Sequence, residues 1–391
     1  MTATTRILIG GLCACAVALG LGRFAFTPIL PLMQAAHGID TQQAGWLAAS
    51  NNLGYLIGAL WAALVRTEDG RRRVLAAALA LVPTSMAAMA MTQSLVAWNL
   101  IRLAAGIGSA LVFVLAAAVV VQRLAELGRA RLSGIHFAGV GLGIVLSGTL
   151  TPPAGDDSGA WWLTGTACAV LSAISWRMLP GAHTQQAAAG SRVPEPVAFS
   201  LPMLTASYFC AGLGYIVTGT FLVVVVKATP GLEGFANLSW VVVGLAAMPS
   251  AAAWGWLAEH RGYPLALILA HLIQAAGTVL LALVAHPAAV LLSAVSYGGT
   301  FLGIAGMAMA FGRAITPTRA AQTMGLLTAA FSAGQIIGPV AAAAIAARGG
   351  WSPALLSAAA VLAAGVPMLV VGKNPTPSSR RSGVPRRGSG G

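Results

Sequence analysis

Long apolar runs separated by short polar breaks dominate the chain. A helix needs about 20 apolar residues to cross a hydrocarbon core of roughly 30 Å. Twelve runs meet that need, at about 7–32, 43–65, 74–92, 96–121, 132–151, 160–179, 200–226, 238–258, 264–285, 288–311, 322–346 and 353–372. Their continuity excludes an outer-membrane barrel, whose strands alternate polar and apolar positions over about ten residues. The pattern predicts an all-α membrane protein with 12 transmembrane helices.

Composition agrees: 58% of the 391 residues are hydrophobic and only 8% charged, a balance that a soluble domain of this size does not need. The net charge of +13 suggests nucleic acid until its distribution is followed. With both termini inside, eighteen of the 22 Lys and Arg fall in inner segments, only Lys227 and Arg348 fall outside, and Arg23 and Arg102 lie within spans. Such sorting predicts a multi-pass protein of the cytoplasmic (inner) membrane with cytoplasmic termini, its basic loops facing anionic lipid rather than nucleic acid. The first 22 residues resemble a signal peptide, but cleavage there would leave an odd number of spans and spoil the sorting. Cys13, Cys15, Cys168 and Cys210 lie in apolar runs as small hydrophobes, with no disulfide or zinc spacing. Neither a metal nor a cofactor is expected.

The chain repeats itself. "GLGRFAFT" (Gly20 to Thr27) returns 192 residues later as "GLGYIVTG" (Gly212 to Gly219), and Gly106 matches Gly298 at the same shift. "AGVGLGI" (Ala138 to Ile144) is echoed by "AGQIIGP" (Ala333 to Pro339) at a shift of 195. An even number of spans per unit gives parallel repeats about an axis along the membrane normal. The expected organisation is an N-terminal six-helix half (1–179), a polar cytoplasmic linker (180–198), a C-terminal six-helix half (199–372) and a basic tail (373–391) of disordered composition.

Local motifs carry a resemblance. "GWLAEHRG" (Gly255 to Gly262) looks like the loop signature between the second and third helices of a half in the major facilitator superfamily. The resemblance implies that Gly255 permits helix contact, that Glu259 caps or pairs beside Arg261, and that Gly262 turns the chain. The first-half counterpart, "ALVRTEDGRRR", keeps Gly70 and Arg71 but has Thr67 where an acid is expected. "RLAAGIGSA" (Arg102 to Ala110) resembles the superfamily's arginine motif, with Gly106 and Gly108 at its glycine positions. Together "GLGRFAFTPILPLM", "GLGYIVTGTF" and "YGGTFLGI" are similar to the YbfB/YjiJ-type branch. This implies a secondary transporter of a small-molecule solute, monomeric in the bilayer, whose halves rock around a central site. Gly338 and Pro339, with the glycine pairs Gly54/Gly58 and Gly139/Gly143, are then expected flex and contact points.

An arginine at a helix centre costs roughly 2.5 to 3.5 kcal/mol on the insertion scale. Such residues almost always face a bundle interior or aqueous cavity and find a partner. All nine acids lie in loops or at helix ends, so none is placed to neutralise Arg23 or Arg102. The resemblance implies that the first and fourth helices face the central cavity. The missing partner is then read as the substrate, a carboxylate or phosphate gripped by the guanidinium fork. Against this stands a structural role, with Arg102 bonded to backbone carbonyls, the solute neutral or amphipathic, and the protein an efflux pump. The repeat places Tyr215 opposite Arg23. Gln335, Asn51, Asn52 and Tyr55 are further expected solute contacts, or else interhelical bonds worth about 0.6 kcal/mol each. Protons are the coupling ion to weigh, carried by His136, His271, Glu259 or the substrate itself.

An enzyme is not expected: there is no metal cluster, nucleophile elbow or buried acid pair, and "GVGLG" lies in an apolar helix with no strand before it. A transporter-like sensor would need a signalling domain larger than the short tail.

Overall fold

The computed structural model describes residues 1–179 and 196–373; most of the linker, 180–195, and the tail from 374 lie outside the described residues. Among those described, the fold is all helix, with one isolated bridge between Phe199 and Lys373. The helices are α1 (Ala3–Cys15), α2 (Phe26–His37), α3 (Thr41–Leu64), α4 (Glu68–Ala90), α5 (Leu95–Glu126), α6 (Ala138–Leu150) and α7 (Asp157–Met178). After the linker follow α8 (Leu201–Ala228), α9 (Ala236–Arg261), α10 (Tyr263–Leu283), α11 (Pro287–Ile315), α12 (Ala320–Gly349) and α13 (Trp351–Val371).

Eleven of these helical segments, α1 and α2 together forming the first, are long and apolar enough to cross a bilayer. The sequence predicts twelve. The difference is α7, whose 22 residues span about 33 Å at 1.5 Å each, but whose Trp, Ser, Thr and Gly dilute its apolar content. It nonetheless packs along α4 and α1 as a full member of the bundle.

Helix starts follow local chemistry. Asp40 and Gln43 exchange reciprocal bonds in a capping box at α3, with Asp40 Oδ1 accepting from Gln43 N at 2.8 Å and Gln43 Oε1 from Asp40 N at 3.1 Å. Thr67, the departure from the loop signature, caps α4 by accepting from Gly70 N at 3.2 Å. Gly262 has φ 86°, a left-handed turn that separates α9 from α10 as the signature implies.

Packing turns on small residues, as expected where lipid removes the hydrophobic drive between helices. A Cβ on Gly106 would collide with Asn51 O across the α3–α5 contact, and one on Gly298 with Val243 O across α9–α11. Both partners of that second contact lie 192 residues beyond those of the first. Gly139 lies against Leu12 O, and Gly143 against Gly20. Gly338 meets Leu213 O, while Pro339 presents its carbonyl to Gly45. Helix α8 runs through the middle: every residue from 214 to 226 is buried. Trp46, Trp61, Trp256 and many leucines are exposed around the perimeter, as a lipid-facing surface requires.

Candidate functional site

The first predicted span, 7–32, is not one helix. After α1 the chain widens into a π-helical segment, Ala16–Leu21, with i to i+5 bonds continuing from Gly22 N to Val17 O (2.9 Å) and from Phe24 N to Leu19 O (3.1 Å). Four turn residues follow before α2 begins. Gly20 presses on the Gly143 backbone, and Gly22 fits beside Ser109 and Val82, so neighbouring helices crowd both ends of this break. Broken helices of this kind occur in transporters where the backbone lines a solute site. Arg23 is carried on the break. The corresponding stretch of α8, around Tyr215, is continuous α-helix.

Four side chains from four elements close a ring at that level. Arg23 Nη2 donates to Asn52 Oδ1 at 2.8 Å and to Tyr215 OH at 3.2 Å. Gln335 Nε2 donates to the same hydroxyl at 2.6 Å, and Asn52 Nδ2 donates to the main-chain oxygen of Gln335 at 2.7 Å. The guanidinium carbon lies 5.2 Å from the Tyr55 ring centroid and 5.4 Å from that of Phe24, within cation–π range. Five of the seven sequence-predicted contacts therefore converge: Arg23, Asn52, Tyr55, Tyr215 and Gln335.

The other two, Asn51 and Arg102, meet each other instead. Asn51 Nδ2 donates to Arg102 O at 3.0 Å. The Arg102 guanidinium sits 4.5 Å from the Phe26 ring centroid, and its Nε makes a long 3.5 Å contact to Leu47 O. Its charge rests on an aromatic face and a main-chain oxygen. Among the described residues, no Asp or Glu lies within ion-pair distance of either arginine, although Arg23 is only 6% and Arg102 3% exposed.

Arg23 thus has five N–H donors, and neutral oxygens accept from two of them. Its Nε, the Gln335 Oε1 and the Tyr297 hydroxyl are buried without partners. Tyr297 is a neighbour of the candidate site that the sequence reading misses. With Phe301 and Phe331 it forms a set of near-parallel rings around Tyr215, at 5.3 to 6.2 Å between centroids and 7 to 13° between planes. The available signal was the i, i+4 spacing of Tyr297 and Phe301, which puts both rings on one face of α11.

The motif residues lie away from this ring. Arg71 Nε donates to Val65 O at 3.0 Å and ties down the α3–α4 loop. Glu259 and Arg261 are exposed at the end of α9. A Cβ at Gly255 would meet nothing within 4 Å, so no close helix contact depends on it here, contrary to what the resemblance implies. Gly108 lies against Val82 and Leu81. His136 and His271 are buried, with Nδ1 against Ser133 O and Leu267 O respectively, and neither bonds to the ring.

Residues 15–370 match the family described as the uncharacterised MFS-type transporter YbfB. The chain belongs to this family of MFS-type transporters. No curated protein matches it. The fold is similar to the crystal structure of the nucleoside transporter NupG, with a TM-score of 0.73 at 14% identity over 96% of this chain and 100% of that one. An alanine mutant of NupG gives 0.75 at 13% identity, over 95% and 100%. At such identity the likeness concerns the fold. As an MFS-type transporter, the protein is a multi-pass membrane protein that handles a small-molecule solute rather than an enzyme.

Proposed function

We propose that this transporter moves a small polar solute bearing a carboxylate or phosphate across the cytoplasmic membrane by alternating access, and that Arg23 receives the anionic group. One observation carries the reading: Arg23 is buried at the meeting point of four helical elements, bonded only to neutral oxygens, with no carboxylate among the described residues to balance it. A buried charge without a counter-ion is costly, and a bound anion would remove that cost while accepting two parallel N–H bonds. Gln335 and Tyr297 supply further unpartnered atoms for the polar remainder of the solute.

The movement would be a rocking of residues 1–179 against residues 199–372. Hydrogen bonds between these two parts lie from mid-bundle toward the end that carries the α8–α9 loop. Besides the ring they comprise Thr27 Oγ1 to Gly219 O at 2.6 Å and Trp240 Nε1 to Ser147 Oγ at 3.1 Å. With positive-inside sorting that end is the outer one, and these bonds support reading this conformer as closed to the outside. A proton could accompany an anionic solute without an intramembrane carboxylate, because the solute would bring its own negative charge.

A second reading has support from the near-parallel rings around Tyr215, which suit a planar neutral solute such as a nucleoside, the class that NupG's description names. Proteoliposome uptake of a labelled panel of small carboxylates, phosphate monoesters and nucleosides separates the two. Uptake confined to neutral members would discard the anion reading and leave the transporter assignment standing.

A further inference from the structure

Away from the Arg23 ring, the face formed by α4 and α7 carries a groove of about 510 Å³ that opens toward the surrounding lipid. It exists because the two helices place short side chains there: Ala76, Ala80 and Ala87 on α4, and Ala169 and Ala173 on α7. Exposed tryptophans mark its two ends, Trp162 (48% exposed) and Trp176 (40%). Fourteen residues of helix separate them, about 21 Å at 1.5 Å per residue. One leaflet's share of a roughly 30 Å hydrocarbon core is shorter than that.

At the Trp176 end the groove meets a second, more polar cavity of about 130 Å³, with Trp176 common to both. Arg71, Arg72, Arg177 and Gln122 line it. The Arg72 guanidinium carbon is 5.4 Å from the Trp176 ring centroid, and Arg71 spends its Nε on Val65 O. No carboxylate among the described residues pairs with any of the three arginines; nearby Glu126 bonds to Gln122 and Arg123. This is the end at which Arg6 donates to the main-chain oxygen of Arg177, so it shares a side with the N-terminus.

A basic cavity that adjoins a lipid-facing apolar groove across Trp176 has the chemistry of one ligand. We infer that it binds an anionic phospholipid, with its phosphate among Arg71, Arg72 and Arg177 and one acyl chain along α4 and α7. Trp176 covers the junction, where an indole is suited to the boundary between headgroup and tail. A neutral lipid would bring no charge to three arginines that no described carboxylate pairs with. A free phosphate ester would leave the groove unfilled.

The purified protein, equilibrated with equal amounts of phosphatidylglycerol and phosphatidylcholine, is examined by native mass spectrometry. Wild type should retain phosphatidylglycerol at least about tenfold over phosphatidylcholine, from a contribution of about 1 kcal/mol per basic residue near the anionic group. The Arg72→Gln/Arg177→Gln double variant should lose at least about tenfold of the preference, and the Arg72→Lys/Arg177→Lys variant should keep most of it, which shows that charge rather than folding is lost. Millimolar glycerol phosphate should leave the retained lipid in place. Parity in wild type would overturn the inference. So would an undiminished preference in the Gln double variant, or displacement of the lipid by glycerol phosphate.

Discussion

Arg23 donates a 3.2 Å hydrogen bond to the hydroxyl of Tyr215, its counterpart 192 residues along the chain, and 192 is the spacing at which the sequence repeats. The neighbouring contact obeys the same spacing, with Thr27 Oγ1 donating to Gly219 O at 2.6 Å. Residues related by the repeat touch only near the axis that relates them. The first span and α8 meet through both of these pairs, as two parallel halves related by such an axis would require.

Tyr215→Phe removes the one oxygen that accepts from both Arg23 and Gln335 while leaving the ring packing intact. Hydrogen bonds involving a charged group contribute about 1.5 to 3 kcal/mol, so the half-saturating concentration of the transported solute should rise by roughly ten- to hundredfold. Uptake titrations in proteoliposomes check this, and the unfolding temperature should fall as well, because the buried Arg23 and Gln335 donors lose their acceptor.

The glycines make a graded prediction. Gly106→Ala and Gly298→Ala each drive a methyl into a main-chain oxygen, Asn51 O and Val243 O. Overpacking of this sort costs about 1 to 3 kcal/mol. Gly255→Ala meets open space and should stay within about 0.5 kcal/mol of wild type. Thermal unfolding in detergent should order the three variants accordingly.

Thr67→Ala removes the cap of α4 and should destabilise by about 1 kcal/mol, whereas Thr67→Asp, which restores the acid of the loop signature, should be nearly neutral. The comparison of unfolding midpoints tells whether the threonine serves the helix end alone. A transport defect in Thr67→Asp with normal stability would assign this loop a role beyond capping.

The sequence makes the spans and the Arg23–Tyr215 pairing legible, because apolar length and repeat spacing are one-dimensional signals that survive folding. The break before Arg23 is not legible. Ala16 to Leu21 is apolar and reads as helix; the residues packed against Gly20 and Gly22, Gly143 and Ser109, come from distant helices that no local pattern reveals. The resemblance also points both Arg23 and Arg102 at one cavity, but it says nothing about rotation about each helix axis. The Gly106–Asn51 contact helps set that rotation for α5 and turns the Arg102 side chain toward Phe26. The α7 span shows the converse limit: composition alone ranks it lowest, and packing along α4 and α1 incorporates it.

The most direct test compares a transported carboxylate with its neutral amide analogue in proteoliposomes holding wild type or Arg23→Gln. Loss of a buried charge-assisted contact costs about 2 to 5 kcal/mol. The carboxylate's kcat/KM should therefore fall by at least about thirtyfold in Arg23→Gln, with the amide nearly unaffected. Equal carboxylate transport by the two proteins would contradict the assignment of Arg23 as the anion's partner.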